Sequence, residues 1–355
     1  MSATLKALRE VLSRLEKPLV VGDPAGPCII VSGRFGARVM GASPEGLDGT
    51  NVIWTNPELG EESFHSDSSR NWNVGGHRTW LAPEDRFYLD AREDWFVPER
   101  MDPGDYQLVE DAGEALSFSN RFDITDREGN SFSLELRRRI AILEGPPGGL
   151  VQGDLADTEA VSFDVTHSLR NVGGKVLGKD LPSAGIWSLL QISPPGTVII
   201  PTKGNPAYTD YFDPVPEDRR WLGKNAITFK IDGAKRGKMG IAPQIASGAV
   251  GYMGAAGSSP MLLVKQFTVD PKGAYVDKPW GTDAAQGDAV QTYNDDGEMG
   301  GFAEIECHAP AATLTPNERQ SHRITISAFL GPSDKLKRTG SALLGIDLES
   351  VHYFS

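Results

Sequence analysis

Two stretches of this chain gather the side chains that chemistry needs. In Phe302-Ala-Glu-Ile-Glu-Cys-His308, strand alternation puts Phe302, Glu304, Glu306 and His308 on one face and Ala303, Ile305 and Cys307 on the other. Carboxylates two residues apart on one face repel, and each tends to raise the other's pKa. In a dry pocket one of them becomes a base near neutral pH; on a solvated face the pattern carries no chemistry. Earlier, Asn73-Val-Gly-Gly-His-Arg-Thr-Trp-Leu-Ala-Pro-Glu84 sets His77 and Arg78 directly behind a glycine pair, with Trp80 two residues on. Glycines let backbone bend or approach closely, because no Cβ obstructs it. A proton donor or acceptor, a forked cation and a flat apolar plate then follow. That combination suits a polyhydroxylated ring, which needs directed hydrogen bonds at its rim and an aromatic surface under its C–H face. The competing reading is a β-bulge with a buried Trp and a surface ion pair.

Further polar groups need a place to converge. Gly287-Asp-Ala-Val-Gln-Thr-Tyr-Asn-Asp295 offers Asp288, Tyr293 and Asn294 as rim residues, while Asp295 to Gly297 reads as a turn. His167 shares a strand face with Phe163, Val165 and Leu169, which suits a core histidine better than a catalyst. Trp187 and Trp280 are either core residues or plates for sugar stacking. The parity of Phe132, Leu134 and Leu136 turns Arg138 inward, between the solvated Arg137 and Arg139.

The elements that must position these groups are mostly strands. Leu5, Leu8, Leu12 and Leu15 predict an amphipathic helix over 3–16, ended by Pro18, so 1–18 forms an N-terminal helical segment. Strands are predicted at 28–31, 37–40, 51–54, 160–170, 185–192, 197–200, 226–232, 238–243, 249–253, 261–269, 302–308 and 322–329. Residues 115–124 and 131–143 form a hairpin across Asp126-Arg-Glu-Gly-Asn130. One further helix is expected near 333–343, capped by Ser333 and followed by Gly345. Helices are too few for the crossovers of a parallel sheet. The expected fold is therefore all-β, a large antiparallel β-sandwich, with residues 19–355 as one domain.

Bulk properties narrow the partners. The 355 residues include 40 glycines and 24 prolines, well above the usual combined share of ~12%, and these are spread over many short turns. A net charge of −13 argues against nucleic acid and against anionic membranes. Cys28 and Cys307 are the only cysteines, with no disulfide framework and no metal-ligand spacing. Neither a metal nor a cofactor is expected. The first residues lack the apolar run of a signal peptide, and no window reaches transmembrane length, so the expected location is the cytoplasm. No nucleophile elbow, P-loop, zinc-protease motif or dinucleotide fingerprint occurs. The N-terminal helix could pack on its own domain or on a second subunit, which leaves a homo-oligomer open.

In order, these pieces resemble the galactose mutarotase-like (aldose 1-epimerase-like) β-supersandwich proteins, in an uncharacterised bacterial branch. The resemblance runs from Gly33-Arg-Phe-Gly-Ala-Arg-Val39 and Asn51-Val-Ile-Trp54 through the Gly75-Gly-His-Arg block, Val165–Asn171 and Trp187–Pro201. It continues through Gly287–Asp295 and Phe302-Ala-Glu-Ile-Glu306 to Leu314-x-Pro316, covering roughly residues 28–330. It implies a base from a late strand, which falls at Glu304 or Glu306, and an acidic His from the middle of the chain. Where that His is expected the chain reads Gly185-Ile-Trp-Ser-Leu-Leu, with Trp187 and no His. His77, and after it His167, are the available substitutes, and Arg78 resembles an arginine that reaches the sugar in related enzymes. The resulting expectation is a sugar mutarotase or epimerase with Glu304 or Glu306 as base and His77 as acid. Arg78, Asp288, Tyr293 and Asn294 would orient hydroxyls between walls of Trp80 and Trp187. The alternatives are a non-catalytic sugar-binding or sensing protein, and a lyase or hydrolase acting on an oxidised or acidic glycoside.

Overall fold

The computed structural model describes residues 4–145, 150 and 157–354. Two large antiparallel sheets stack face to face, and the chain is all-β apart from short helices. The nine-stranded sheet runs Leu19–Gly22, Cys28–Ser32, Arg38–Ser43, His77–Ala82, Gly185–Ile192, Ala303–His308, Val290–Asn294, Gly237–Ile241 and Thr209–Asp210. The ten-stranded sheet contains, among others, Gly196–Pro201, Ala249–Ala256, Ser259–Phe267, Arg319–Leu330, Glu159–Asn171, Ser131–Ile142 and Ala115–Thr125. Their facing sides form one apolar core that includes Val39, Leu81, Ile186, Leu190 and Ile305 from the first sheet, and Leu136, Val165 and Leu263 from the second.

Position within a sheet explains the sequence patterns. Gly185–Ile192 and Ala303–His308 are buried along their whole length, because both faces of the nine-stranded sheet are covered at its centre. Ala115–Thr125 lies next to the edge of its sheet, and its burial alternates, with Phe118, Phe122 and Ile124 inward. The predicted hairpin is present, pairing Ala115 with Ala141 through Thr125 with Ser131. Its turn is held by Asp126, whose Oδ1 accepts from the Asn130 amide at 2.8 Å.

The helices follow the sequence with small corrections. The first spans Leu5–Leu12, and residue 3 of the expected helix lies outside the described residues. Thr4 Oγ1 accepts from the Ala7 amide at 3.2 Å as its N-cap. Leu5, Leu8 and Leu12 pack against Ile30, Met40 and Phe64 of the same chain. The last helix spans Ser333–Leu344 and lies on the outer side of the Ser259–Phe267 strand, where Leu336 and Leu343 meet Leu262 and Val264. Its N-cap is Pro332, so Ser333 is the first helical residue and not the cap. Gly345 ends it in the left-handed region, at φ 68°. The expected strand at 51–54 does not form. Asn51 Oδ1 takes the Ala42 and Ile53 amides, while the Val52 and Trp54 amides donate to the backbone oxygens of Ala42 and Gln191, so a side-chain bond interrupts what would be a strand ladder.

Candidate functional site

Five strands of the nine-stranded sheet present side chains to its outer face, where a cavity of about 360 Å³ opens. The register lays these residues out in rows. Trp80 pairs with Trp187, and Trp187 with His308. In the next row Arg78 pairs with Leu189, Leu189 with Glu306 and Glu306 with Gln291. Beyond it stand Glu304, Tyr293 and Lys238. Trp72, Trp95, Phe212, Trp280 and Phe302 from flanking segments complete the walls. Five of the seven tryptophans therefore line one hollow.

The glycine pair sets this arrangement. Gly75 and Gly76 have φ of +98° and +85°, and a Cβ on either would lie within 2.7 Å of the backbone at Trp54–Thr55 or Val39. The chain turns there and enters the His77–Ala82 strand with Arg78 and Trp80 facing the cavity. His77 and Thr79 face the core.

Acid and base groups alternate within the cavity. Arg78 Nη1 lies 2.7 Å from Glu304 Oε1, an ion pair whose two atoms are not aligned as a hydrogen bond. The Arg78 guanidinium also sits 4.2 Å over the Trp80 ring. Lys238 Nζ stands between two carboxylates, 3.2 Å from Glu306 Oε2 and 3.9 Å from Glu84 Oε2. Trp187 Nε1 donates to Glu306 Oε2 at 2.8 Å, and Trp95 Nε1 to Glu84 Oε1 at 3.1 Å. Glu304 Oε1 and Glu306 Oε1 are buried with no hydrogen-bond partner among the described residues. A buried carboxylate oxygen left in this way favours a hydroxyl donor. Burial pushes Glu84 up from an ordinary 4.5 to about 7, against the pull of Lys238. Burial also raises Glu304, opposed by Arg78 and reinforced by Glu306.

The expected residues divide into two groups. Glu304, Glu306, Arg78, Trp80, Trp187 and Tyr293 all line the cavity. His77 does not: strand alternation sends it inward, where Arg138 Nη2 donates to its Nδ1 at 2.8 Å and its Nε2 meets Ser188 Oγ at 2.9 Å. Burial first, and Arg138 next, hold its imidazole well below the usual 6.5. With both nitrogens engaged and the sheet between it and the cavity, His77 does not reach the cavity. His167 is likewise a core histidine, its Nδ1 2.7 Å from Thr79 Oγ1. Arg138 is turned inward as its parity required, and it is fully buried. Asp288 does not line the cavity; its Oδ2 lies 3.0 Å from the Tyr211 hydroxyl, and burial lifts it to about 7. Asn294 points to the other face of its strand and braces the 232–235 loop, its Oδ1 accepting from the amides of Asp232 and Gly233. Asp295 to Gly297 is the expected turn, with Asp295 Oδ2 accepting from the Gly297 amide at 3.0 Å. His308 stacks on Trp187, centroids 5.4 Å apart, outside the lining. No group of three or more His, Cys, Asp or Glu that could hold a metal ion occurs among the described residues.

Sequence reading missed Glu84, Lys238, Trp72 and Trp95. Glu84 had a signal, since Arg78, Trp80, Ala82 and Glu84 keep one parity through the block. Lys238 had another, a lone cation in the short strand Gly-Lys-Met-Gly-Ile. Trp72 and Trp95 come from loops, where no period marks them.

With the geometry in hand, comparison with known proteins locates the chain. A family of unknown function (DUF6786) matches residues 4–355. The chain belongs to that family. No curated protein matches its sequence. Among solved structures, a putative aldose 1-epimerase from Escherichia coli K12 superposes with a TM-score of 0.53 at 13% identity, over 88% of this chain and 98% of that one. A putative mutarotase from Salmonella typhimurium gives 0.50 at 10% identity, over 89% and 90%. A galactose mutarotase-like protein from Lactobacillus casei gives 0.46 at 10% identity, over 88% and 99%. The fold is the galactose mutarotase-like sandwich of these structures. No helix among the described residues is long and apolar enough to cross a membrane.

Proposed function

We propose that this protein binds a sugar ring in the tryptophan-walled cavity and interconverts its anomers. One observation carries the reading: two buried carboxylates, Glu304 and Glu306, and the largely buried Glu84 share that hollow with Arg78 and Lys238. In this reading Glu304 is the base and Glu84, rather than His77, is the acid. A carboxyl lifted to about 7 keeps a large protonated fraction near neutrality, which a general acid requires. Glu304 takes the proton of the anomeric hydroxyl as Glu84 protonates the ring oxygen. The bond between C1 and the ring oxygen breaks, giving the open-chain aldehyde. Rotation about C1–C2 and return of both protons close the ring on its other face. Arg78 and Lys238 hold the carboxylates in place and donate to ring hydroxyls, and Trp80 and Trp187 flank the C–H faces.

The test is anomer interconversion followed by NMR on a panel of aldoses and uronates. Wild type should accelerate at least one member, and the double variant Glu304→Gln, Glu306→Gln should not. Equal rates for the two proteins would reject the proposal. A second reading, sugar binding without conversion, has its own support: Glu304 and Glu306 are both already ion-paired, which blunts a base. Tight binding by calorimetry with no acceleration on any sugar would select it.

A further inference from the structure

A second cavity, of about 500 Å³, opens beside the first. The two have Trp72 and Trp95 in common, which form the partition between them. Both indoles are anchored at the edge. Trp95 Nε1 is held by Glu84 on the first side, and Trp72 Nε1 donates to Ser69 O at 3.1 Å. Their rings meet edge to face, with centroids 5.2 Å apart. A fixed aromatic partition of this kind offers apolar surface to both compartments.

The second compartment has its own polar and apolar equipment. Phe35 and Phe96 add aromatic surface, and Asn71 and His65 add polar groups. Phe96 remains 41% exposed, a large apolar side chain that the fold itself does not cover. At the base, Arg38 is 1% exposed and pairs with Asp102 at 2.6 Å. Its Nη groups donate to Trp72 O and Gly75 O, at 2.8 and 2.9 Å, while its Nε has no partner among the described residues. The buried arginine is matched by a buried aspartate, and the exposed Arg34 and Glu99 of the lining are opposite in charge, so the compartment carries no net charge and the floor offers the Arg38 Nε as a donor. Such a lining suits an uncharged, hydroxyl-bearing ring better than a phosphate or a carboxylate.

We propose that the second cavity is a glycosyl subsite, so that the ligand is a neutral glycan of at least two rings. Its reducing-end ring occupies the first cavity, and the next ring crosses the Trp72–Trp95 edge to lie against Phe96. This rests on the sugar reading of the first cavity, and the experiment separates the two. Calorimetry compares glucose and galactose with maltose, cellobiose and lactose. At least one disaccharide should bind about tenfold more tightly than the monosaccharide at its reducing end, the gain from one further ring on an aromatic face. Phe96→Ala should bring that ratio towards one; because Phe96 is exposed the variant should fold, which circular dichroism checks. Monosaccharide binding with ratios of one across the panel overturns the second subsite and leaves the first cavity's reading standing. A ratio unchanged by Phe96→Ala also overturns it. No binding of any of the five sugars overturns the second subsite for these glycans, and the first cavity's reading is then decided by the wider aldose and uronate panel.

Discussion

The two sides of the nine-stranded sheet meet similar side chains, its own on the outer face and those of the ten-stranded sheet on the inner, and treat them in opposite ways. On the outer face, cations meet carboxylates: Arg78 with Glu304, and Lys238 with Glu306 and Glu84. Against the inner face, the ten-stranded sheet brings Arg138 and Lys265, which are fully buried and form no ion pair among the described residues. They donate instead to backbone oxygens, Arg138 to Gly36 and His77, Lys265 to Ser188 and Ile305. Burial and these cations hold His77, His167 and His322 below the usual histidine range, His322 at about 4. The difference teaches that ionisable groups in a sandwich are not interchangeable. Those between the sheets are spent on bonding strands together, whereas the outer face keeps one buried carboxylate oxygen, Glu306 Oε1, without a partner among the described residues.

Substitutions on either side of the sheet should have different effects. Glu304→Gln and Glu84→Gln should each lower anomer interconversion by about 10²–10⁴-fold, the usual worth of a positioned acid or base, with NMR line-shape analysis as the readout. Arg138→Ala should act on the fold instead. Losing its packing and leaving the His77 and Gly36 oxygens unsatisfied should cost about 3–5 kcal/mol in urea unfolding. Sugar affinity of the folded fraction should hold. A normal midpoint with lost affinity would dissolve the distinction between the faces.

A third prediction concerns pH. The Glu84 carboxyl is raised from 4.5 unfolded to about 7 folded, so between these values the native state binds more protons. Its contribution to stability is complete below about pH 4.5 and is lost as pH rises through 7. The loss is on the order of 3 kcal/mol at most. Asp288, also lifted to about 7, acts with the same sign. Urea midpoints measured from pH 5 to 8 should therefore fall, and Glu84→Gln should flatten the profile. A profile that rises over this window would count against a protonated Glu84. The smallest effect is expected at His77. His77→Phe keeps the ring, loses bonds to Arg138 and Ser188, and should cost about 1–3 kcal/mol of stability while leaving interconversion within a few-fold. Abolished turnover in a stable His77→Phe protein would restore the imidazole to the chemistry.

Much of this was legible in the sequence where periodicity governs. The alternation of Phe302 to His308 put Glu304 and Glu306 on a shared face, and they share one. The parity of Phe132 to Leu136 turned Arg138 inward. The same rule, applied to the Gly75–Glu84 block, separates His77 from Arg78, because adjacent residues in a strand face opposite ways. The expectation that both reach one hollow followed composition and set parity aside. Asn294 failed for the same reason beside Tyr293. Trp72 and Trp95 were out of reach because they stand in irregular segments, where position depends on tertiary contacts that no local pattern encodes. Asn51–Trp54 looked like a strand by propensity, but Asn51 supplied the backbone with other partners.

Gly75 and Gly76 have a consequence for how this scaffold can change. They fix the phase of the strand that follows, so one residue gained or lost just after them would invert it along its whole length. The imidazole would then meet the solvent-side hollow, and the guanidinium would be stranded between the sheets, next to two cations already there. Divergence in this segment should therefore proceed by exchange of side chains, or by indels of two residues at a time, and single-residue indels should be purged.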